Sequence, residues 1–296
     1  GTVSLDSPKG WKITPPSQLF SIAKKGDQAM VYFEVTPPEV TSEGILKPLI
    51  QIGEHTYKKE LHTLNYQYIP LQQVLLDSES KVVHMVLQKK GENIGYIEGA
   101  GDLIPESLQQ IGYRVTRIKP TEISFDKLIQ FDAIVMGIRA YNTIPELKFK
   151  QIELNKYVEN GGNLILQYNT SHRLVTKNIA PFELQLSRER VTDEFSEVTF
   201  LAPAHPVLNY PNIITASDFD NWVQERGLYF PDKWADQFTP ILGMNDKNNK
   251  LTKGALLVAP YGKGYYIYTG LSFFRELPAG VSGAYRLFAN LLSIGK

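Results

Sequence analysis

The sequence predicts a multidomain protein in which an all-β sandwich is followed by a three-layer α/β domain. Three observations support this prediction. The chain has 296 residues, which exceeds the usual size of one domain. Its first ninety residues contain short apolar runs separated by prolines, and from Gly91 onward strand patterns alternate with helix patterns. We therefore place the two domains at residues 1–90 and 91–296.

The N-terminal prediction depends on turn signals. Prolines at Pro8, Pro15 and Pro16 punctuate this part of the chain, and apolar runs such as 30–35 and 81–87 lie between the turns. Several short strands with regular turn signals, uninterrupted by a helical pattern, are typical of a β-sandwich.

The prediction of an α/β domain at residues 91–296 depends on the alternation of strand patterns with helix patterns. Near-continuous apolar runs, as in buried parallel strands, alternate with amphipathic segments, and repeated βα units imply a parallel sheet. The predicted strands are 94–97, 113–118, 131–136, 163–168, 255–259 and 265–269. The predicted helices are 103–111, a segment near 121–129, 147–158 and 283–293.

Composition narrows the classes of function. Lys and Arg number 31, as do Asp and Glu, and this balance argues against a nucleic-acid partner. No apolar run reaches the length of about 20 residues that a membrane span requires. The sequence has no cysteine, which excludes disulfides, thiolate metal sites and cysteine nucleophiles. Because the chain starts at Gly1 without Met, we expect it to be a piece of a longer protein.

Ligands of doubly wound sheets bind beyond the carboxyl ends of the strands. This rule selects residues 98–102, 137–142 and 168–173, and the loops at 204–206 and 218–234. The sequence Gly99-Ala100-Gly101 lacks the third small residue of a dinucleotide fingerprint, since Ile104 occupies that position. A tight turn is therefore favoured there over a phosphate site.

The sequence contains no strong signal of a catalytic site. A triad of Ser171, His205 and Asp218 is conceivable, but polar loop residues are the favoured interpretation. His205 lies between Pro203 and Pro206, where it is equally compatible with a base or ligand and with an ordinary loop residue. The five histidines show no spacing typical of zinc ligands, so no metal is expected.

Aromatic residues are dense between residues 222 and 238. Together with Arg226 they could form a stacking platform for a sugar ring or a partner surface, and a satellite core is the favoured alternative. The aromatic residues are Trp222, Tyr229, Phe230, Trp234 and Phe238.

Five segments resemble the C-terminal region of bacterial PIG-L (LmbE-like) deacetylase-family proteins. They are residues 94–102, 135–142, 205–209, 222–229 and 280–290. The α/β half is also similar to flavodoxin-like domains of the class I glutamine amidotransferase-like superfamily, including its ThuA-like branch. Gly10-Trp11 and residues 35–38 resemble the Ig-like accessory domain of glycan-active enzymes.

The resemblance also implies what this chain lacks. The zinc motif of the deacetylases is absent because Val207 and Leu208 follow His205-Pro206, so the deacetylase site would lie on an upstream domain. The amidotransferase nucleophile would fall near Tyr168 and Asn169, where an amide cannot replace a thiolate.

The leading hypothesis is a non-catalytic accessory region of a larger sugar- or glycan-directed hydrolase, without a cofactor. Its expected partners are an upstream catalytic domain of the same polypeptide and a carbohydrate, and the resemblance favours a periplasmic or secreted location. One alternative is a ligand-binding protein or hydrolase that uses the strand ends, and another is a purely structural module. The candidate ligand-binding residues are Arg139, Tyr141, Asn169, His205, Asp218, Trp222 and Arg226.

Overall fold

The computed structural model describes residues 1–296, which divide into two compact units, residues 1–86 and 87–296. No helix in either unit combines the length and the apolar character needed to cross a membrane. The sequence prediction put the change of pattern a few residues later, at Gly91. The units are described separately below.

The N-terminal unit contains strands and no helix. Its strands are β1 (Thr2–Asp6), β2 (Lys12–Thr14), β3 (Ser17–Leu19), β4 (Glu34–Thr36), β5 (Ser42–Ile52), β6 (His55–Tyr57), β7 (Lys59–Leu64), β8 (Gln72–Asp77) and β9 (Ser80–His84). The long strand β5 pairs with β1, β6 and β9, and β3 pairs with β1, all antiparallel. Two separate antiparallel pairs, β2–β4 and β7–β8, complete the unit.

The core of this unit is small. Val3 and Leu46 are its only buried apolar residues, whereas Leu19 is 83% exposed and Tyr68 is 93% exposed. Every residue of the β7 and β8 strands is exposed. An Ig-like sandwich requires two sheets that bury a common apolar layer. The all-β content of this unit is observed, but the Ig-like sandwich is not confirmed.

The C-terminal unit is an α/β domain built on a seven-stranded sheet. Its strands are β10 (Asn93–Ile97), β11 (Arg114–Arg117), β12 (Ala133–Met136), β13 (Asn163–Gln167), β14 (Leu184–Val191), β15 (Thr199–Phe200), β16 (Gly227–Trp234), β17 (Thr239–Pro240), β18 (Leu242–Gly243), β19 (Leu256–Tyr261) and β20 (Gly264–Thr269). Its helices are α1 (Ile104–Gln110), α2 (Phe125–Leu128), α3 (Ala140–Thr143), α4 (Gln151–Glu159), α5 (Pro206–Asn209), α6 (Phe273–Glu276) and α7 (Ser282–Ser293). Short 3-10 helices cover Pro120–Glu122, Pro145–Phe149 and Ala216–Phe219.

The sheet order is β11-β10-β12-β13-β20-β19-β17. The first five strands run parallel, and β19 and β17 add an antiparallel edge. Numbered along the chain, the parallel strands follow the order 2-1-3-4-5, which is the order of flavodoxin-like doubly wound sheets. The predicted alternation of strands and helices is confirmed, and the sheet order adds a topology that the pattern alone did not specify.

Helices cover both faces of this sheet. Leu164 and Leu166 of β13 belong to the core that also contains Leu154 and Tyr157 of α4. The side chain of Asn163, which has the opposite parity along the strand, donates hydrogen bonds to the carbonyl oxygens of Leu292 and Ile294 at the end of α7. Because alternate side chains of a strand point to opposite faces, α4 and α7 lie on opposite sides of the sheet.

Candidate functional site

The carboxyl ends of β10, β12, β13 and β20 lie at the same edge of the sheet because these strands are parallel. The strand order reverses between β10 and β12, and this is the topological switch point at which doubly wound sheets bind ligands. The site therefore begins with the segments that follow these four strands, at residues 98–102, 137–142, 168–173 and 270–276.

The switch point itself is closely packed. Oδ1 of Asp102 accepts hydrogen bonds from the Tyr96 hydroxyl at 2.5 Å and the Ile104 N–H at 3.0 Å, and Oδ2 accepts from the Ile138 N–H at 3.2 Å. A Cβ at Gly99 would lie 2.0 Å from the carbonyl oxygen of Ile138. This close approach of two backbone segments is what a tight turn at residues 99–101 produces, and the Asp102 carboxylate places a negative charge there.

Arg139 occupies a left-handed turn directly after β12. Its φ is +58°, and its N–H donates to the carbonyl oxygen of Tyr168 at 2.8 Å. Its side chain is exposed, and its guanidinium makes no hydrogen bond or ion pair. A sharp strand-to-helix turn with strained backbone is how α/β enzymes present a nucleophile. Here that turn presents a cation.

The resemblance placed this elbow near Tyr168 and Asn169, one strand further along. Neither residue has a positive φ. Asn169 is fully buried: its Oδ1 accepts from the Tyr141 N–H at 2.8 Å and its Nδ2 donates to the carbonyl oxygen of Gln167 at 2.9 Å. Tyr141 is also fully buried, and its hydroxyl donates to Oε1 of Gln151 at 2.5 Å. Asn169 and Tyr141 are thus interior supports of the Arg139 turn and expose no surface to a ligand.

His205 lies in a different part of the unit. Its Nδ1 accepts the Val207 N–H at 3.2 Å and so caps α5, which packs on α7. Burial lowers the pKa of this imidazole below its ordinary value. A neutral ring is consistent with the capping role, because only an unprotonated Nδ1 can accept this hydrogen bond.

Asp218 and Trp222 hold the segment after α5 together. The Asp218 carboxylate pairs with Arg286 of α7 at 2.7 Å and accepts the Thr215 N–H at 2.8 Å. The Trp222 indole donates to the carbonyl oxygen of Asp218 at 3.0 Å, and its ring stacks on Phe219 with centroids 5.4 Å apart. Trp222 is 3% exposed, so it forms part of a satellite core and not an open platform.

Arg226 is also an interior residue. Its Nε and Nη2 donate to the carbonyl oxygen of Ser196 at 3.0 and 2.8 Å, and Nη1 donates to the carbonyl oxygen of Phe219. Three hydrogen bonds to two carbonyl oxygens hold this guanidinium inside the unit. A ligand could bind it only if these hydrogen bonds were broken.

A cluster of aromatic rings with a neighbouring cation completes the strand-end surface; the sequence analysis had pointed to Tyr168 and Tyr229 but not to Phe274 and Arg275. The ring of Tyr168 stacks on Tyr229 with centroids 6.0 Å apart and an interplanar angle of 9°, and it lies 5.3 Å from Phe274. The Arg275 guanidinium lies 4.7 Å from the Phe274 ring and its Nε donates to Oε1 of Glu225 at 3.1 Å. Residues 273–276 follow β20, so the strand-end rule would have found them if it had been applied to the predicted strand at 265–269.

The electrostatics connect this cluster to Arg139. Burial raises the pKa of the Tyr168 phenol, and the positive charges of Arg139 and Arg275 act in the opposite direction. Arg139 adjoins Tyr168 through the backbone hydrogen bond at 2.8 Å, and Arg275 adjoins it through the ring of Phe274. We call Arg139, Tyr168, Tyr229, Phe274 and Arg275 the strand-end site.

One buried carboxyl lies behind the strand-end site. Glu276 is fully buried; its Oε2 accepts the Val223 N–H at 2.9 Å, and its Oε1 has no partner. The hydroxyl of Ser272, one helical turn earlier, is also buried without a partner. Burial raises the pKa of Glu276 to about 8, against the lowering effects of the Val223 N–H and of Arg226 and Arg275. Glu276 is therefore largely protonated at neutral pH.

Comparisons with known proteins give fold-level likenesses only. No family model and no curated protein matches the chain. Among solved structures, a protein assigned to GMP synthase from Thermoplasma acidophilum aligns with TM-score 0.45 and 12% identity over 69% of this chain and 94% of its own. A ThuA-like protein from Bacteroides uniformis aligns with TM-score 0.44 and 13% identity over 70% and 92%. A cytoplasmic protein of Salmonella typhimurium aligns with TM-score 0.46 and 13% identity over 68% and 98%. At these TM-scores and identities the likenesses establish no family or activity for this chain.

Proposed function

We propose that the α/β unit is a non-catalytic domain that binds an anionic, ring-containing ligand at the strand-end site. The observation that carries this proposal is Arg139: a left-handed strand-to-helix turn, the kind of turn on which α/β enzymes present a nucleophile, here presents an exposed guanidinium without a hydrogen bond or ion pair. A planar guanidinium binds carboxylate or phosphate in bidentate fashion. The stacked rings of Tyr168 and Tyr229 beside it are suited to a flat partner.

The larger context of this proposal is an accessory region of a PIG-L-type, sugar-directed hydrolase. Its support is the resemblance of residues 94–102, 135–142 and 280–290 to the C-terminal part of such proteins.

The test of the binding proposal uses 4-nitrophenyl phosphate, which joins a flat ring to an anion. Calorimetry should show saturable binding to the full chain, and Arg139→Ala should weaken it about tenfold, the equivalent of one charge-assisted hydrogen bond. Lys247→Ala is the control, because Lys247 is an exposed cation that lies in none of the strand-end segments. Equal affinity of Arg139→Ala and the unmodified chain would refute the site.

The same probe tests the absence of catalysis, since hydrolysis releases coloured nitrophenolate. Turnover of 4-nitrophenyl phosphate, or deacetylation of N-acetylglucosamine by the isolated chain, would refute the non-catalytic assignment.

A further inference from the structure

The α/β unit has a cavity outside the strand-end site. It is a groove of about 810 Å³ between α4, the 3-10 helix before it and the segment 171–186. None of the strand-end residues lines it. Its volume is within the range of small-molecule sites, about 300–1,000 Å³. Polar side chains that line it include Lys148, Gln151, Asn155, Lys177 and Asn178.

A chain of hydrogen bonds runs from a buried tyrosine to two amide side chains that line the groove, and it orients those amides. The buried hydroxyl of Tyr141 donates to Oε1 of Gln151 at 2.5 Å, and Nε2 of Gln151 donates to Oδ1 of Asn155 at 2.8 Å. Burial raises the pKa of Tyr141, so its hydroxyl keeps the proton that starts the chain. In this chain Oδ1 of Asn155 already accepts one hydrogen bond, while both N–H groups of its Nδ2 have no partner within the protein and can donate to a ligand.

The unpaired charged side chains that line the groove are positive. Lys148 and Lys177 form no ion pair, whereas the single carboxylate of the lining, Glu183, pairs with Lys233 at 2.7 Å. The ammonium groups are donors without acceptor capacity. The groove therefore presents an excess of positive charge, which suits an anion.

Apolar side chains form the rest of the lining. Ile152 is 78% exposed, and Leu174 and Phe182 also face the groove. An aromatic ring and aliphatic side chains next to amide donors suit a ligand whose faces carry C–H groups and whose edges carry oxygen.

From these observations we infer that the groove binds a carboxylate-bearing sugar ring, of the kind found in uronic acids. The carboxylate lies between Lys148 and Lys177, and the ring hydroxyls accept hydrogen bonds from the Nδ2 of Asn155. This site is separate from the strand-end site, and it does not depend on the proposal made for Arg139.

The experiment is titration of the full chain with digalacturonate and, in parallel, with its neutral counterpart digalactose. We expect saturable binding of digalacturonate and at least about tenfold weaker binding of digalactose. Lys148→Ala and Lys177→Ala should each weaken digalacturonate binding about tenfold, and Asn155→Asp, which replaces the donors by a negative charge, should weaken it further. Lys247→Ala is the matched control, because Lys247 is exposed and does not line the groove.

The inference is overturned if digalacturonate does not bind at concentrations up to about 10 mM, a range that reaches weak complexes. It is also overturned if digalactose binds equally well, or if the two lysine variants bind like Lys247→Ala. Arg139→Ala should retain full affinity for digalacturonate, while Lys177→Ala should retain full affinity for 4-nitrophenyl phosphate. These two crossed measurements separate a failure of the groove from a failure of the strand-end site.

Discussion

Substitution of Glu276 by Gln tests the buried carboxyl behind the strand-end site. In the native unit Oε2 accepts the Val223 N–H and Oε1 has no partner. A neutral carboxyl tolerates this environment better than a carboxylate does, because burial of an uncompensated charge is costly. The Gln side chain has nearly the same shape and keeps an oxygen for the Val223 N–H, but it cannot ionise.

The magnitude follows from the pKa. The carboxyl titrates at about 8 in the folded protein, against 4.5 as its ordinary value. A folded pKa above the unfolded one stabilises the protein fully below the unfolded pKa, and this stabilisation is lost as the pH rises towards the folded pKa. The slope approaches about 1.4 kcal/mol per pH unit for one proton. The contribution of Glu276 to the free energy of unfolding therefore decreases by about 2–3 kcal/mol between roughly pH 5 and pH 7.

The assay is urea denaturation of the native chain and of Glu276→Gln at several pH values between about 5 and 8. The unfolding of the α/β unit is followed separately from that of the N-terminal unit, because the prediction concerns the α/β unit alone. We expect the free energy of unfolding of the α/β unit to fall, relative to that of the variant, as the pH rises. Glu146→Gln is the control, since Glu146 is exposed and forms no ion pair. If the two pH profiles stay parallel, Glu276 is ionised in the folded state and the argument from burial is wrong.

Three other substitutions test the backbone around the strand-end site. Asn169→Ala leaves the buried Tyr141 N–H without its acceptor, and urea unfolding should show a loss of about 2–3 kcal/mol; a loss below about 1 kcal/mol would contradict the interior role. Gly99→Ala forces a Cβ to within 2.0 Å of the Ile138 carbonyl oxygen, so thermal melting should show strong destabilisation, and a native-like melting temperature would contradict this close approach. Arg139→Gly relieves the left-handed backbone, and its free energy of unfolding should equal or exceed that of the native chain by up to about 1 kcal/mol; a clear loss of stability would mean that the guanidinium supports the fold.

Local patterns were sufficient to predict the α/β unit. The apolar run at 131–136 and the amphipathic run at 147–158 correspond to β12 and to α4 with its preceding 3-10 helix, because a strand buried on both faces leaves a continuous apolar run and a helix buried on one face leaves a periodic one. The order of the strands could not be read from these patterns. It depends on which strands pair, and pairing partners such as β13 and β20 are about one hundred residues apart.

The candidate site was predicted only in part, for a physical reason. A polar side chain at a strand end either hydrogen-bonds within the unit and stabilises the fold, or remains available to bind a ligand. The sequence does not show whether a given side chain has a hydrogen-bond partner inside the unit. Asn169, Asp218 and Arg226 find such partners, with carbonyl, amide or guanidinium groups supplied by distant segments. The sequence analysis missed Phe274 and Arg275, which follow β20. Because β20 pairs in parallel with β13, the carboxyl end of β20 lies at the same edge of the sheet as the carboxyl end of β13, and the sequence does not show this pairing.

The distribution of partners along this edge also distinguishes scaffold from surface. Asp102, Asn169 and Arg226 satisfy their hydrogen-bonding groups within the unit, and each therefore has a structural reason to be polar. The guanidinium of Arg139 makes no hydrogen bond or ion pair, and its left-handed backbone costs about 1 kcal/mol or more relative to Gly at the same φ. An exposed guanidinium keeps all of its donors for an external acceptor, whereas the donors of the buried Arg226 are already bound to carbonyl oxygens. This contrast is the reason why the proposed anion site is tested at Arg139, beside the stacked aromatic rings, and not at Arg226.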